Sequence, residues 1–342
     1  MSAADQSVRA DQSVRIVHYD AALHKEQWDT FVLSSMNGTV FHQQQFLSYH
    51  TSGKFNFDHL MFFQGERLVA LLPGGSSKDG SSYDSPLGSS YGSFVVEDIS
   101  ADTALAIVEA FKAFLRERGF KRTFLTSAPV IYQPILTQNL EFALLYKGFF
   151  YQRHYISHAI DLTPEGKPFD RFQATARKFT RRTYKQYADV TIREVKQEEM
   201  EEGLRIFYPI LLENKAKYNA KPTHDLDELL RLNALLPDLM KLFLVYKGDQ
   251  PIAGSLLFIA NKRVAVIFYH MLYYEYKELR PIYLLMDRVT SWGKENGLSF
   301  IDIGVSQDTS DENPMTPALS LIRFKEKFDS RGVLRSTLSL EL

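Results

Sequence analysis

The side chains best placed for chemistry in this 342-residue sequence are cationic and hydroxylic. Arg171, Lys178, Arg182 and Lys185 recur at three- and four-residue spacing, with Arg177 and Arg181 beside them. On one helix that spacing makes a basic strip, and no acid falls among these residues from 171 to 185. Arginine pairs with phosphate bidentately, so the strip reads either as a phosphate grip or as a solvated face paired with acids elsewhere. Gly88-Ser89-Ser90-Tyr91-Gly92 has the form of a nucleophile elbow. An elbow needs a strand before the serine and a helix after it. Pro86 precedes the motif and the strand-like 94–96 follows, which argues against a hydrolase. The better reading is a substrate loop, in which glycines allow close approach, Ser89 and Ser90 offer hydroxyls, and Tyr91 stacks or hydrogen-bonds. The alternative is a flexible hairpin.

A general base requires a group that titrates near neutrality. His270, at the end of an apolar strand beside Tyr273 and Tyr274, is one candidate; its other reading is a satisfied core residue. Asp302 alternates with Ile301 and Ile303, so it either orients substrate near a strand end or lies on a polar face. Proton loss straight to water would leave no dedicated base. His224, Asp225, Asp227 and Glu228 cluster, but the stretch reads equally well as a capped helix start with acids in its first turn. No His-Glu-x-x-His or EF-hand pattern occurs, and no metal is expected. The absence of cysteine removes disulfides, thiolate nucleophiles and Cys-based zinc sites together. Transfer between two bound substrates, without a covalent Cys intermediate, is then the simplest group-transfer route.

The elements that must position these groups follow from periodicity. Strands are expected at 14–19, 57–63, 67–72, 94–96, 122–126 and 151–162, the second and third joined by the hairpin signal Gln64-Gly65-Glu66. Helices are expected at 25–34, 43–50, within 130–147, and at 101–118, where Leu105, Val108, Phe111 and Leu115 line one face. The Gly/Ser-rich stretch 73–93 is a long loop. Residues 163–168 are turn-rich and polar, the best candidate boundary. The second half then expects a helix at 169–187, with Phe169, Phe172, Ala176, Phe179 and Thr183 on one stripe. A strand at 190–195, helices at 197–218 and 226–235, and strands at 241–246, 252–260 and 264–274 follow. Helix 282–296, strand 300–305, helix 317–328 and strand 333–340 complete the chain. Each half repeats helices, an antiparallel meander, then helix, strand, helix and strand, which implies a pseudo-duplicated α+β architecture rather than a doubly wound sheet or a TIM barrel.

Length suits two domains, and a formal charge of −1 gives no overall field for nucleic acid or an anionic membrane; DNA and membrane insertion are not expected. No apolar run approaches a membrane span, and the polar N-terminus lacks a signal segment. Ala4-Asp5-Gln6-Ser7-Val8-Arg9 recurs as Ala10-Asp11-Gln12-Ser13-Val14-Arg15, read as a duplicated, disordered tail over 1–13. Cytoplasm is the default location.

Four motifs in order carry a family resemblance. They are Trp28-Asp29-Thr30-Phe31-Val32 with Asn37 to His42 and Phe46 to His50; Ser85 to Gly92; Arg177-Lys178-Phe179-Thr180-Arg181-Arg182 with Lys185; and Phe300-Ile301-Asp302-Ile303-Gly304-Val305-Ser306 followed by Leu321 to Phe328. A strand ending Asp-x-Gly-x-Ser, a loop, then a helix with Phe-Lys-x-x-Phe is the most specific. Together they resemble the FemAB-like transferases of the GNAT superfamily over most of the chain. The resemblance implies two tandem GNAT-like domains, at 14–162 and 168–342, with mixed, largely antiparallel sheets and a site in the cleft between or beside them. It implies transfer of an acyl or aminoacyl group onto an amine of a cell-envelope precursor or small molecule, from aminoacyl-tRNA or acyl-CoA. The basic helix would grip a nucleotide-linked acceptor or a tRNA acceptor stem, and Ser306 would sit in the substrate site. Phe324 and Phe328, four apart, hold Lys325 against the helix wall, and the resemblance makes Lys325 the stabiliser of the developing oxyanion. One departure stands out. Where CoA-dependent GNAT enzymes place a glycine-rich pyrophosphate loop, Leu279-Arg280-Pro281-Ile282-Tyr283-Leu284 has no glycine, and Pro281 removes an N–H donor. Usual CoA binding is not expected. A CoA-dependent N-acetyltransferase and a catalytically silent binding module remain the alternatives.

Overall fold

The computed structural model describes residues 13–217 and 219–342. Most of the repeated hexapeptide and the expected tail lie outside the described residues. The chain forms two compact units, one running to His154 and taking in 334–342, the other running from Tyr155 to Val333.

In the first unit, β1 (Val14–His18) leads into α1 (Ala21–Ser34), whose N-cap Asp20 accepts from the Ala22 N–H. A short α2 (Gln44–Leu47) precedes β2 (Asn56–Phe57), β3 (Leu60–Gln64) and β4 (Arg67–Leu72). The Gly/Ser-rich stretch expected as loop contains β5 (Gly75–Ser76) and β6 (Ser82–Ser85) before β7 (Val95–Val96). Then come α3 (Ala101–Glu117), β8 (Arg122–Thr126), α4 (Asn139–Tyr146) and β9 (Phe150–Asp161), which ends in the second unit. One sheet runs β1-β3-β4-β7, all antiparallel. The other set contains the parallel pair β6–β8. The core is aromatic, with Phe62, Phe94 and Phe111 packed edge to face.

In the second unit, the expected helix 169–187 is two helices, α5 (Pro168–Arg171) and α6 (Ala174–Gln186). The break comes from tertiary bonding, because the Gln173 N–H leaves the helical ladder and donates to the Lys327 carbonyl at 2.9 Å. The apolar stripe survives the break: Phe172 and Ala176 are buried, and Phe169 and Phe179 pack on the core. β10 (Val190–Glu194), α7 (Met200–Ala216) and α8 (Leu226–Leu235) follow. The acidic cluster before α8 is a helix cap: Asp225 accepts from the Glu228 N–H at 2.7 Å, and Glu228 accepts from the Asp225 N–H at 3.1 Å. The meander β11 (Met240–Lys247), β12 (Gln250–Ile259) and β13 (Val264–Leu272) is followed by α9 (Pro281–Glu295), β14 (Phe300–Val305), α10 (Leu319–Glu326) and β15 (Ser330–Glu341), which ends in the first unit. Strand order in this unit is β10-β11-β12-β13-β14-β9. The β13–β14 pair is parallel, and its register covers only 264–266 against 300–302. Beyond that, β13 stays with β12 as far as Leu272, while Val305 of β14 pairs with Ser157 of β9. The two central strands therefore splay apart.

Among the described residues, no helix is long and apolar enough to cross a membrane.

Candidate functional site

The polar groups of the second unit converge where β14 leaves the sheet. Gly304 takes φ +74°, a left-handed conformation that glycine adopts without a Cβ clash. Successive carbonyls of a regular strand point in opposite directions; the turn at Gly304 breaks that alternation. The carbonyls of Gly304 and Val305 both accept from the Lys325 ammonium, at 2.7 and 2.9 Å. Lys325 is only 7% exposed. Phe324 and Phe328 beside it interlock with each other and with Tyr283, as their spacing predicted. Burial pushes the Lys325 ammonium down to about 8, and the carboxylate of Asp302 opposes that shift. Two of its three N–H groups go to the strand end, and among the described residues the third has no acceptor.

Asp302 is fully buried rather than on a polar outer face. Its Oδ1 accepts from Ser157 Oγ at 2.7 Å and from the Gly304 N–H at 2.8 Å, so it fixes the turn that aims the carbonyls. Ser306, also fully buried, has its N–H on the Ile156 carbonyl and its Oγ 3.5 Å from His158 Nδ1. His158 was not singled out by sequence reasoning. Its signal was a histidine between Ile156 and Ile160 on one face of an apolar strand. Burial, then the charge of Lys325, lowers its proton affinity.

His270, on β13, places Nδ1 3.0 Å from Ser255 Oγ, and its Nε2 is buried. Burial drives its pKa down to about 4, against a smaller opposing contribution from the Ile282 backbone, and Lys325 lowers it further. Both histidines are therefore neutral at pH 7, with one ring nitrogen able to accept a proton. Lys325, Asp302, Ser306 and His158 form one buried polar group, and the half-buried His270 feels the charge of Lys325.

Of the basic strip, Lys178, Arg181, Arg182 and Lys185 are exposed on α6, and among the described residues none forms an ion pair. Arg182 donates to Gln186, and Arg181 lies over the Phe169 ring at 5.4 Å. Arg177 is half-buried and donates to the Asp170 carbonyl. Arg171, expected in the strip, instead pairs with Asp329 at 2.8 Å. Arg280 precedes α9 at φ +54°, its guanidinium 3.6 Å above the Phe179 ring, with Pro281 at the first helical position.

Ser89, Ser90 and Tyr91 lie in the first unit. Tyr91 is packed inside, against Phe41, Tyr132 and the Arg335 guanidinium. Ser89 Oγ donates to the Phe41 carbonyl at 2.9 Å, and the Ser90 carbonyl accepts from Arg335. The segment has no strand–serine–helix geometry: strand β7 and then α3 follow it. The first unit also holds a cavity of about 360 Å³, lined by Tyr19, Lys25, Gln44, His50, Phe55 and Phe57 among others.

Residues 174–313 match a family described as an acetyltransferase (GNAT) domain. Among solved structures, FemX superposes with TM-score 0.69 at 12% identity, over 96% of this chain and 97% of that one. L-PGS from Bacillus licheniformis gives TM-score 0.56 at 14% identity, over 92% of this chain and 90% of that one. A tandem GNAT protein from the clavulanic acid biosynthesis pathway gives 0.53 at 9% identity, over 96% and 98%. No curated protein sequence matches the chain significantly. The fold is thus two tandem GNAT-like domains with mixed sheets, as the resemblance implied.

Proposed function

We propose that this chain, a FemAB-like protein of the GNAT fold, moves an acyl or aminoacyl group onto an amine by direct attack. The amine nitrogen bonds to the carbonyl carbon, the donor's C–O or C–S bond breaks, and the proton released from nitrogen ends on the departing oxygen or sulfur. The carrying observation is Lys325: a buried cation pinned by two backbone carbonyls at the splayed end of β14, with one N–H left. A preorganised donor of this kind stabilises the oxyanion that forms as nitrogen attacks. Asp302 is a positioning residue, since it fixes the Gly304 turn. Neutral His158 takes the proton; His270, held down to about 4, is too weak a base for that step.

The donor reading follows from α9. Proline at its first position and no glycine before it disfavour a CoA pyrophosphate there. The unpaired cations of α6 suit a phosphate-rich carrier, which favours aminoacyl-tRNA over acyl-CoA. The amine belongs to a cell-envelope precursor or a small molecule. The test is product formation by mass spectrometry from aminoacyl-tRNA and from acyl-CoA with a panel of amines. Lys325→Met should lower turnover roughly 10²- to 10³-fold. Turnover unchanged by that substitution removes the oxyanion role; no product from either donor favours a silent binding module.

A further inference from the structure

The turn at Gly304 is a bulge in the ladder between β14 and β9. Asp302 faces Ala159 and Val305 faces Ser157, so three steps along β14 (302 to 305) answer two along β9 (159 to 157). One residue of β14 is extra, and an extra residue bends a strand and re-aims its groups. Gly304, with its positive φ, falls inside that gap. The carbonyls of Gly304 and Val305, which leave the bulge together, are the two that hold Lys325. A ladder broken over one residue needs another bond to fix where the extra residue sits. Ser157 supplies it. Its hydroxyl donates from β9 across to Asp302 Oδ1 at 2.7 Å, and the same oxygen takes the Gly304 N–H at 2.8 Å. Ser157 is 1% exposed and Asp302 is fully buried, so bulk water does not compete for that hydroxyl. A hydrogen bond to a carboxylate in such a place is among the stronger ones a serine can make.

We infer that Ser157 is a positioning residue for the Lys325 ammonium: its hydroxyl staples the β14 bulge through Asp302 and so fixes the two carbonyls that orient the ammonium. This rests on the acyl-transfer reading of the same site. Ser157 touches no reacting atom, so Ser157→Ala should lower kcat roughly tenfold and leave KM near the wild-type value. Carbonyl acceptors favour the charged form of an amine. A loosened bulge should therefore move the titration of Lys325 to lower pH, and the descending limb of the rate with it. The titratable groups that face Lys325 are Asp302, His158 and His270, and Ser157→Ala keeps all three. The limb is read from a pH–rate profile, and the titration from NMR of the full chain with nitrogen-labelled lysine side chains. Because Ser157 acts through Asp302, adding Ser157→Ala to Asp302→Asn should cost nothing further. Should Ser157→Ala fail to fold, Ser157→Cys, close in size and a weak donor, takes its place in every arm. A serine variant whose kcat and limb match the wild type overturns the inference. So does a loss of activity with the Lys325 titration unmoved, since the serine would then be a structural group, and so do losses that add in the double variant. The NMR titration needs no turnover, so a failed transfer assay sinks the functional reading while a shifted titration still supports the staple.

Discussion

Lys325 carries a pH consequence that can be read directly. Its ammonium is the form that stabilises an oxyanion, and burial brings its proton affinity down to about 8. The rate should therefore fall as pH rises through about 8, and Lys325→Arg should move that limb to higher pH, because guanidinium stays charged. A descending limb that does not move in a pH–rate profile of that variant would assign it to another group. The buried histidines act in the opposite range. His42 donates from Nε2 to Gly92 and accepts at Nδ1 from Thr39, and His59 accepts from the Gly74 N–H. Burial lowers both to about 4. Their folded values lie below the unfolded value of 6.5, so the unfolded chain takes up protons first. Stability is then lost as pH falls from 6.5 through about 4, by about 3 kcal/mol per histidine. His42→Gln should flatten the pH dependence of urea midpoints between 7 and 4; an unchanged slope would show that other groups dominate. Some of this was legible: the Phe324–Phe328 spacing announced a pinned Lys325. Its acceptors were not legible, because backbone carbonyls have no signature in sequence, and His158 meets Ser306 across 148 residues.

Periodicity found the elements whose stability is local and missed those held from a distance. Helix α3 was readable from its apolar face. The strands β5 and β6 were not, since Gly and Ser favour loops and only pairing with β2 and β8 orders them. The Phe172–Gln173 break in the basic helix also escaped, because its cause is the Lys327 carbonyl. Helix α6 carries its own prediction. If it grips phosphates, changing Lys178, Arg181, Arg182 and Lys185 together to Gln should weaken tRNA binding. The slope of log affinity against log salt should shrink by about 0.7–0.9 for each phosphate that is no longer neutralised. Filter binding at several salt concentrations decides it; an unchanged slope leaves α6 a solvated face. The packing of β12 on α7 is equally testable. A Cβ on Gly254 would stand 2.5 Å from the Phe207 ring, so Gly254→Ala should cost about 1–3 kcal/mol in thermal or urea unfolding. A neutral result would mean that Phe207 has room to turn.

At the scale of the molecule, duplication of the two halves was legible, because each repeats the same order of elements. The division itself was hidden. The turn-rich 163–168 segment lies inside the second unit, and the change of unit falls within β9, between His154 and Tyr155, where composition does not shift. A second crossing occurs in β15, whose residues 337–341 pair with β8 and bury Leu338 and Leu340 in the first core. Removing residues 334–342 should therefore strip protection from the amides of 122–126, which hydrogen exchange would show; full protection after that deletion would mean that the first unit closes without its last strand. The order of translation gives the same strand another meaning. While the ribosome is still making residues 155–333, the earlier-made half lacks a piece of its own sheet and keeps an open edge, so this domain ripens after its successor has emerged.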